Sequence, residues 1–217
     1  MNKLRFLLPF LIGLISIVPM ISTAQEADTL CETLLENGLH AYRSNDFDIA
    51  FSTLQRFISQ CQPDTPKLSR VQLIMASCLE KMGDLDASIE RYQIAIALSD
   101  NDPQFILAFA YVLRRHSEFS RAITLMQQLS NEHPETVTYP FELGKTYIQM
   151  GDWEAAIRWL TQAIDLKSDS AAMYLARGNA YEAHEDLSHA MADYVRVLEL
   201  GDASGVILLK MSRLQRK

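Results

Sequence analysis

The feature that most limits the fold of this chain is a period. Ala50, Ser88, Ala122, Ala156 and Ala190 are all small, and they stand 38, 34, 34 and 34 positions apart. The one long step contains the polar stretch QCQPDTPKLS, residues 60–69. Further columns keep the same register. Gly38, Ala76, Ala110, Gly144 and Gly178 are small, and Phe47, Leu85, Phe119, Trp153 and Leu187 are large and apolar. Leu54, Tyr92, Met126, Leu160 and Tyr194 form a second large column, and Asp46, Asp84, Glu118, Asp152 and Asp186 an acidic one. Self-similarity at such a period marks a stacked repeat architecture, in which no unit can bury its apolar face alone.

Within each period the apolar residues recur at three- and four-residue spacing, which predicts two amphipathic helices per unit. In the fourth unit these run roughly from Val137 to Met150 and from Trp153 to Lys167. Gly151, Gly83 and Asn45 suit the left-handed residue that ends a helix, and Asp152 suits the cap that begins the next one. The small columns let two helices approach closely, and the large columns fill the space around that contact. The expected fold is therefore all-α.

The quoted columns resemble the tetratricopeptide repeat (TPR) family. LGKTYIQMGDWEAAIRWLTQAIDL (143–166) follows the family motif nearly throughout, and RGNAYEAHEDLSHAMADYVRVLEL (177–200) is close behind. The first three units diverge more. The resemblance implies a right-handed α-solenoid of about five helix-turn-helix units. These fall at about 31–64, 69–102, 103–136, 137–170 and 171–204, within an array spanning 25–204. Residues 205–217 read as a C-terminal capping helix, with Val206, Leu209, Met211 and Leu214 near helical spacing.

The N-terminus has a different character. Lys3 and Arg5 precede an uncharged apolar run, Phe6 to Ile21, and Ser22-Thr23-Ala24 offers small residues for cleavage. That is the layout of a signal peptide over 1–24, so the protein is expected to be exported, periplasmic or secreted. The alternative is a retained membrane anchor, although the run is shorter than the ~20 residues of a spanning helix and contains Pro9 and Pro19. Without Lys3 and Arg5 the chain has 18 basic and 27 acidic residues, a net charge of −9. An acidic chain without a basic patch argues against a nucleic-acid partner.

Export permits disulfides. In the repeat frame Cys31 opens the first helix of the first unit and Cys61 closes the second. Antiparallel helices bring those ends together, which predicts a Cys31–Cys61 disulfide. Cys78 falls on an inner helix face and is expected to be a buried free thiol.

Catalytic signatures are weak. HEDLSH (184–189) resembles a zinc motif but holds one residue too many. His184 and His189 would point about 140° apart on a helix instead of sharing a face. No nucleophile–base pair or phosphate-binding glycine loop stands in local register. No catalytic, cofactor or metal residues are assigned. An enzyme whose site is assembled from distant residues is the remaining alternative.

In the TPR family the first helices of successive units line a groove that holds an extended peptide or a partner helix. That resemblance assigns Leu35, Leu39, Tyr42 and Arg43 to the groove in the first unit, and Arg70, Ser77 and Lys81 in the second. Tyr111, Arg114 and Arg115 follow in the third unit, Phe141 and Lys145 in the fourth, and Leu175, Asn179, Glu182 and Ala183 in the fifth, with Glu80 and Glu182 as the acids of this face. Cations and aromatics are concentrated on this face of an otherwise acidic chain. The expected partner is a protein or peptide segment of acidic and apolar character, since arginine and aromatic side chains serve as anchors at interfaces.

Overall fold

A computed structural model describes residues 18–201 and 205–216. Among these residues there are eleven α-helices and no strand. They are α1 (Val18–Arg43), α2 (Phe47–Cys61), α3 (Thr65–Met82), α4 (Leu85–Leu98), α5 (Pro103–Arg115) and α6 (Phe119–Glu132). α7 (Thr138–Met150), α8 (Trp153–Leu166), α9 (Ala171–Ala183), α10 (Leu187–Glu199) and α11 (Gly205–Leu214) complete the order. The expected signal segment, residues 1–24, lies outside the described residues up to position 17. α1 begins at Val18, and the Ala24–Gln25 bond falls within it. None of the described helices is long and apolar enough to cross a membrane.

The periodic columns have a direct structural cause. Each unit closes its first helix with the same turn. Asn45, Gly83, Ser117, Gly151 and Glu185 all have φ between 63° and 89°, the left-handed region. One residue later, Asp46, Asp84, Glu118, Asp152 and Asp186 donate their backbone N–H to Ala41, Leu79, Leu113, Tyr147 and Tyr181 at 2.8–3.1 Å. This six-to-one bond is the Schellman arrangement. Glycine is therefore preferred at the turn but not required. Three of the five acidic residues also cap the next helix through their side chains: Asp84 accepts from the Ala87 N–H at 3.1 Å, Asp152 from Ala155 at 3.0 Å and Asp186 from His189 at 3.2 Å. Asp46 and Glu118 make no such bond.

The small column faces the second large column across each helix pair. A Cβ placed on Gly144 would stand 2.5 Å from Leu160 Cγ, and one on Gly38 would stand 2.6 Å from Leu54 Cδ2. On Gly178 it would lie 2.9 Å from Tyr194 Cε1. The pairing explains why Leu54, Met126, Leu160 and Tyr194 are wholly buried.

The chain forms two compact units that divide within α4, after Ser88. In the first, Leu34, Leu54, Phe57, Val71 and Met75 form a core, flanked by Cys31 and Cys61. These two cysteines are joined, with Cα atoms 5.6 Å apart, and the bond ties the start of the packed part of α1 to the end of α2. Cys78 is free and buried, and burial pushes its thiol up to about 11, partly opposed by a backbone hydrogen bond. α3 starts at Thr65, four residues before position 69. Asp64 accepts the Lys67 N–H at 2.9 Å and Pro66 occupies the first turn, so the polar insertion supplies the helix start.

The second unit ends on α11. Ile207 and Leu214 are buried there against Tyr194 and Val197, with Met211 beside them. The expected packing face is thus corrected: Val206 is 63% exposed and Leu209 54% exposed. In so short a helix, with consecutive apolar residues at 206–209, spacing alone does not choose the face.

Candidate protein-interaction surface

The assigned groove residues fall on α1 and α3 in the first compact unit and on α5, α7 and α9 in the second, where Glu182 is taken up by Lys210 and Tyr194. In the first unit, the Tyr42 hydroxyl lies 3.0 Å from Ser77 Oγ, which joins α1 to α3. Tyr42 also meets Phe47 edge to face. Arg43 is exposed, and its guanidinium has no partner among the described residues. Lys81 is exposed and stands 3.7 Å from the buried Glu80 carboxylate.

The second unit is wired differently. Arg114 donates to Glu142 Oε2 at 2.7 Å, and its guanidinium stacks over Tyr111 at 5.0 Å. Lys145 donates to Glu142 Oε1 at 2.9 Å and lies over Phe141 at 5.2 Å. The Arg114 and Glu142 side chains are only 14% and 10% exposed. Glu142 thus binds both cations and ties α5 to α7. Tyr111 sits in the same cluster. Burial and the Glu142 charge push its hydroxyl up to about 12, against the opposing pull of Arg114. Arg115 is exposed beside it. Breaking a buried pair on one side leaves an uncompensated charge, so Arg114→Glu disturbs the α5–α7 contact as well as the surface.

Two further ion pairs escaped the sequence reading. Arg177 on α9 grips Asp193 on α10 through Nε at 2.9 Å and Nη2 at 2.8 Å, and donates to Thr161 on α8 at 3.1 Å. Lys210 on α11 donates to Glu182 Oε2 at 2.9 Å. The buried Tyr194 hydroxyl donates to the same oxygen at 2.7 Å. Burial tends to raise the Glu182 carboxyl, but the hydrogen bonds from Lys210 and Tyr194 outweigh it and hold the group below its ordinary 4.5.

His184 follows the last turn of α9, whereas His189 lies in the first turn of α10, 2.7 Å from Asp186 Oδ2 and stacked on Tyr181. Among the described residues no group of three His, Cys, Asp or Glu side chains is placed to hold a metal.

Repeated helical hairpins joined by one recurring turn define a repeat scaffold. The family model described as TPR repeat matches residues 144–184. Solved structures with the same fold include MamA, with a TM-score of 0.63 and 19% identity over 79% of this chain and 91% of that one. PilF of Pseudomonas aeruginosa gives 0.63 and 16% over 88% and 85%. A tetratricopeptide repeat protein of Parabacteroides merdae gives 0.72 and 14% over 87% and 73%. Comparison with curated proteins gives no match. Residues 144–184 match the TPR repeat model, and the fold of the chain is that of the tetratricopeptide repeat structures. Its fold is one that generally serves as a non-enzymatic scaffold for protein–protein interaction.

Proposed function

We propose that this protein is a non-enzymatic adaptor of the cell envelope, exported to the periplasm or secreted, which binds a peptide or protein segment along its first helices. The observation that carries the reading is the cationic and aromatic character of these helices. On a chain of net charge −7, the first compact unit presents exposed Arg43 and Lys81 with Tyr42 on α1 and α3, and the second presents exposed Arg115 with Tyr111 on α5. Such surfaces complement an acidic, partly apolar segment. The basic-then-apolar N-terminus and the Cys31–Cys61 bond support an exported location, since disulfides persist in oxidising compartments.

The test is photo-crosslinking from the native envelope fraction, with wild type and the Arg43→Glu, Arg115→Glu double variant compared. A partner captured by the first and lost from the second, at unchanged helicity, supports the reading. Equal capture by both rejects the groove. A tethered form, with the apolar run Phe6 to Ile21 retained, is the second reading. The N-terminal residue of the purified native protein separates them: Gln25 supports release and Met1 supports tethering.

A further inference from the structure

In the first unit, α1 and α3 enclose a cavity of about 220 Å³. Leu35, Leu39, Val71 and Ile74 form its walls, and Lys67 and Arg70 stand with them at its edge. Leu35 and Leu39 lie one turn apart on α1, and Arg70 and Ile74 one turn apart on α3, so each helix contributes a single stripe. The volume is below the ~300–1,000 Å³ of pockets that hold small molecules or cofactors. It suits a side chain.

Its charge is available. Arg70 is exposed, and its guanidinium has no hydrogen-bond or ion-pair partner among the described residues. Lys67 is exposed and only loosely paired, 4.0 Å from Asp64. By contrast, Arg114 and Lys145 are held by Glu142, Arg177 by Asp193 and Lys210 by Glu182. The acids of this part of α1, Glu32 and Glu36, are exposed and do not line the cavity. Cys31 lies one turn before Leu35, so the disulfide fixes the α1 wall against α2. A wall held in advance lowers the ordering cost of binding.

We propose that this cavity is an anchor pocket for one aliphatic side chain of an extended partner segment, whose flanking carboxylates meet Arg70 and Lys67. The proposal rests on the groove reading and narrows it to one place and one chemistry. The probes are fluorescein-labelled nonapeptides with a central leucine between pairs of aspartates. One control replaces the leucine with serine, and another replaces the aspartates with lysines. Fluorescence polarisation against the full oxidised chain is expected to show binding of the aspartate–leucine peptide and at least tenfold weaker binding of both controls. Lys67→Glu with Arg70→Glu should weaken the aspartate–leucine peptide at least tenfold and favour the lysine control, with the circular dichroism melt unchanged because both side chains are exposed. Equal binding of leucine and serine peptides, wild-type affinity in the double variant, or no binding at all would each overturn the pocket. If the Lys67→Glu, Arg70→Glu variant still captures the native partner while Arg43→Glu, Arg115→Glu does not, the groove stands and the pocket falls. Retention by both variants rejects both.

Discussion

Gly144→Ala tests the packing logic of the repeat at its tightest point. The added methyl would lie 2.5 Å from Leu160 Cγ, 2.8 Å from its Cδ2 and 3.4 Å from the Ala156 carbonyl. The nearest atom is a branch point near the backbone, so α7 and α8 must shift apart. Overpacking of this kind costs ~1–3 kcal/mol. Removing a helical glycine returns about 1 kcal/mol of propensity. With the clash in the upper part of its range, the net loss is ~1–2 kcal/mol, a fall in Tm of roughly 3–6 °C for a chain this long. The third unit already contains the remedy, because its equivalent pair is Ala110 with Met126, both wholly buried. Gly144→Ala combined with Leu160→Met should therefore recover most of the loss, and a double-mutant cycle in urea should give a coupling of about 1 kcal/mol or more. A single variant as stable as wild type, or additive effects in the cycle, would refute the argument that the small and large columns are one contact.

Glu185 holds φ of 64° in the turn between α9 and α10. Glu185→Gly relieves a left-handed penalty of ~1–2 kcal/mol against ~0.4–1 kcal/mol of added unfolded-state entropy, and should raise stability by about 0.5–1 kcal/mol in urea titration. Glu182 is held below 4.5 by Lys210 and Tyr194, so its contribution is complete above that value and is lost as pH falls through the lower folded value. Hydrogen exchange should show α11 loosening over that acidic window in wild type, and Glu182→Gln should remove the pH dependence. Intact mass after alkylation should find no reactive thiol in the native protein, one after denaturation, and three after reduction as well. The Cys31→Ser, Cys61→Ser variant should lose about 3–4 kcal/mol by the loop-entropy relation for a separation of 30 residues, read by its urea midpoint.

What the sequence disclosed follows from the range of the forces involved. Hairpins are visible because each small residue and its large partner, such as Gly144 and Leu160, are 16 positions apart in every unit. The helix-ending turn is visible where it carries glycine, and hidden at Ser117 and Glu185, where the same backbone bond imposes the conformation on an unsuited residue. The ion pairs are hidden because Arg114 and Glu142, or Glu182 and Lys210, join different helices 28 positions apart, and although the two pairs share one register their charges are exchanged, so no column keeps a sign. For this reason the cationic face looked uniform in sequence. In the structure only part of it, Arg43 and Arg70 above all, is left without an internal acid.

The Cys31–Cys61 bond also has a mechanical consequence. Stretched from its ends, the oxidised chain is shorter by the contour of the enclosed loop, ~100 Å at ~3.4 Å per residue for a separation of 30 residues. Any pore that threads an unfolded polypeptide in single file would meet two strands at once between those cysteines. Passage through such a pore would be open to this chain only while the two thiols are reduced.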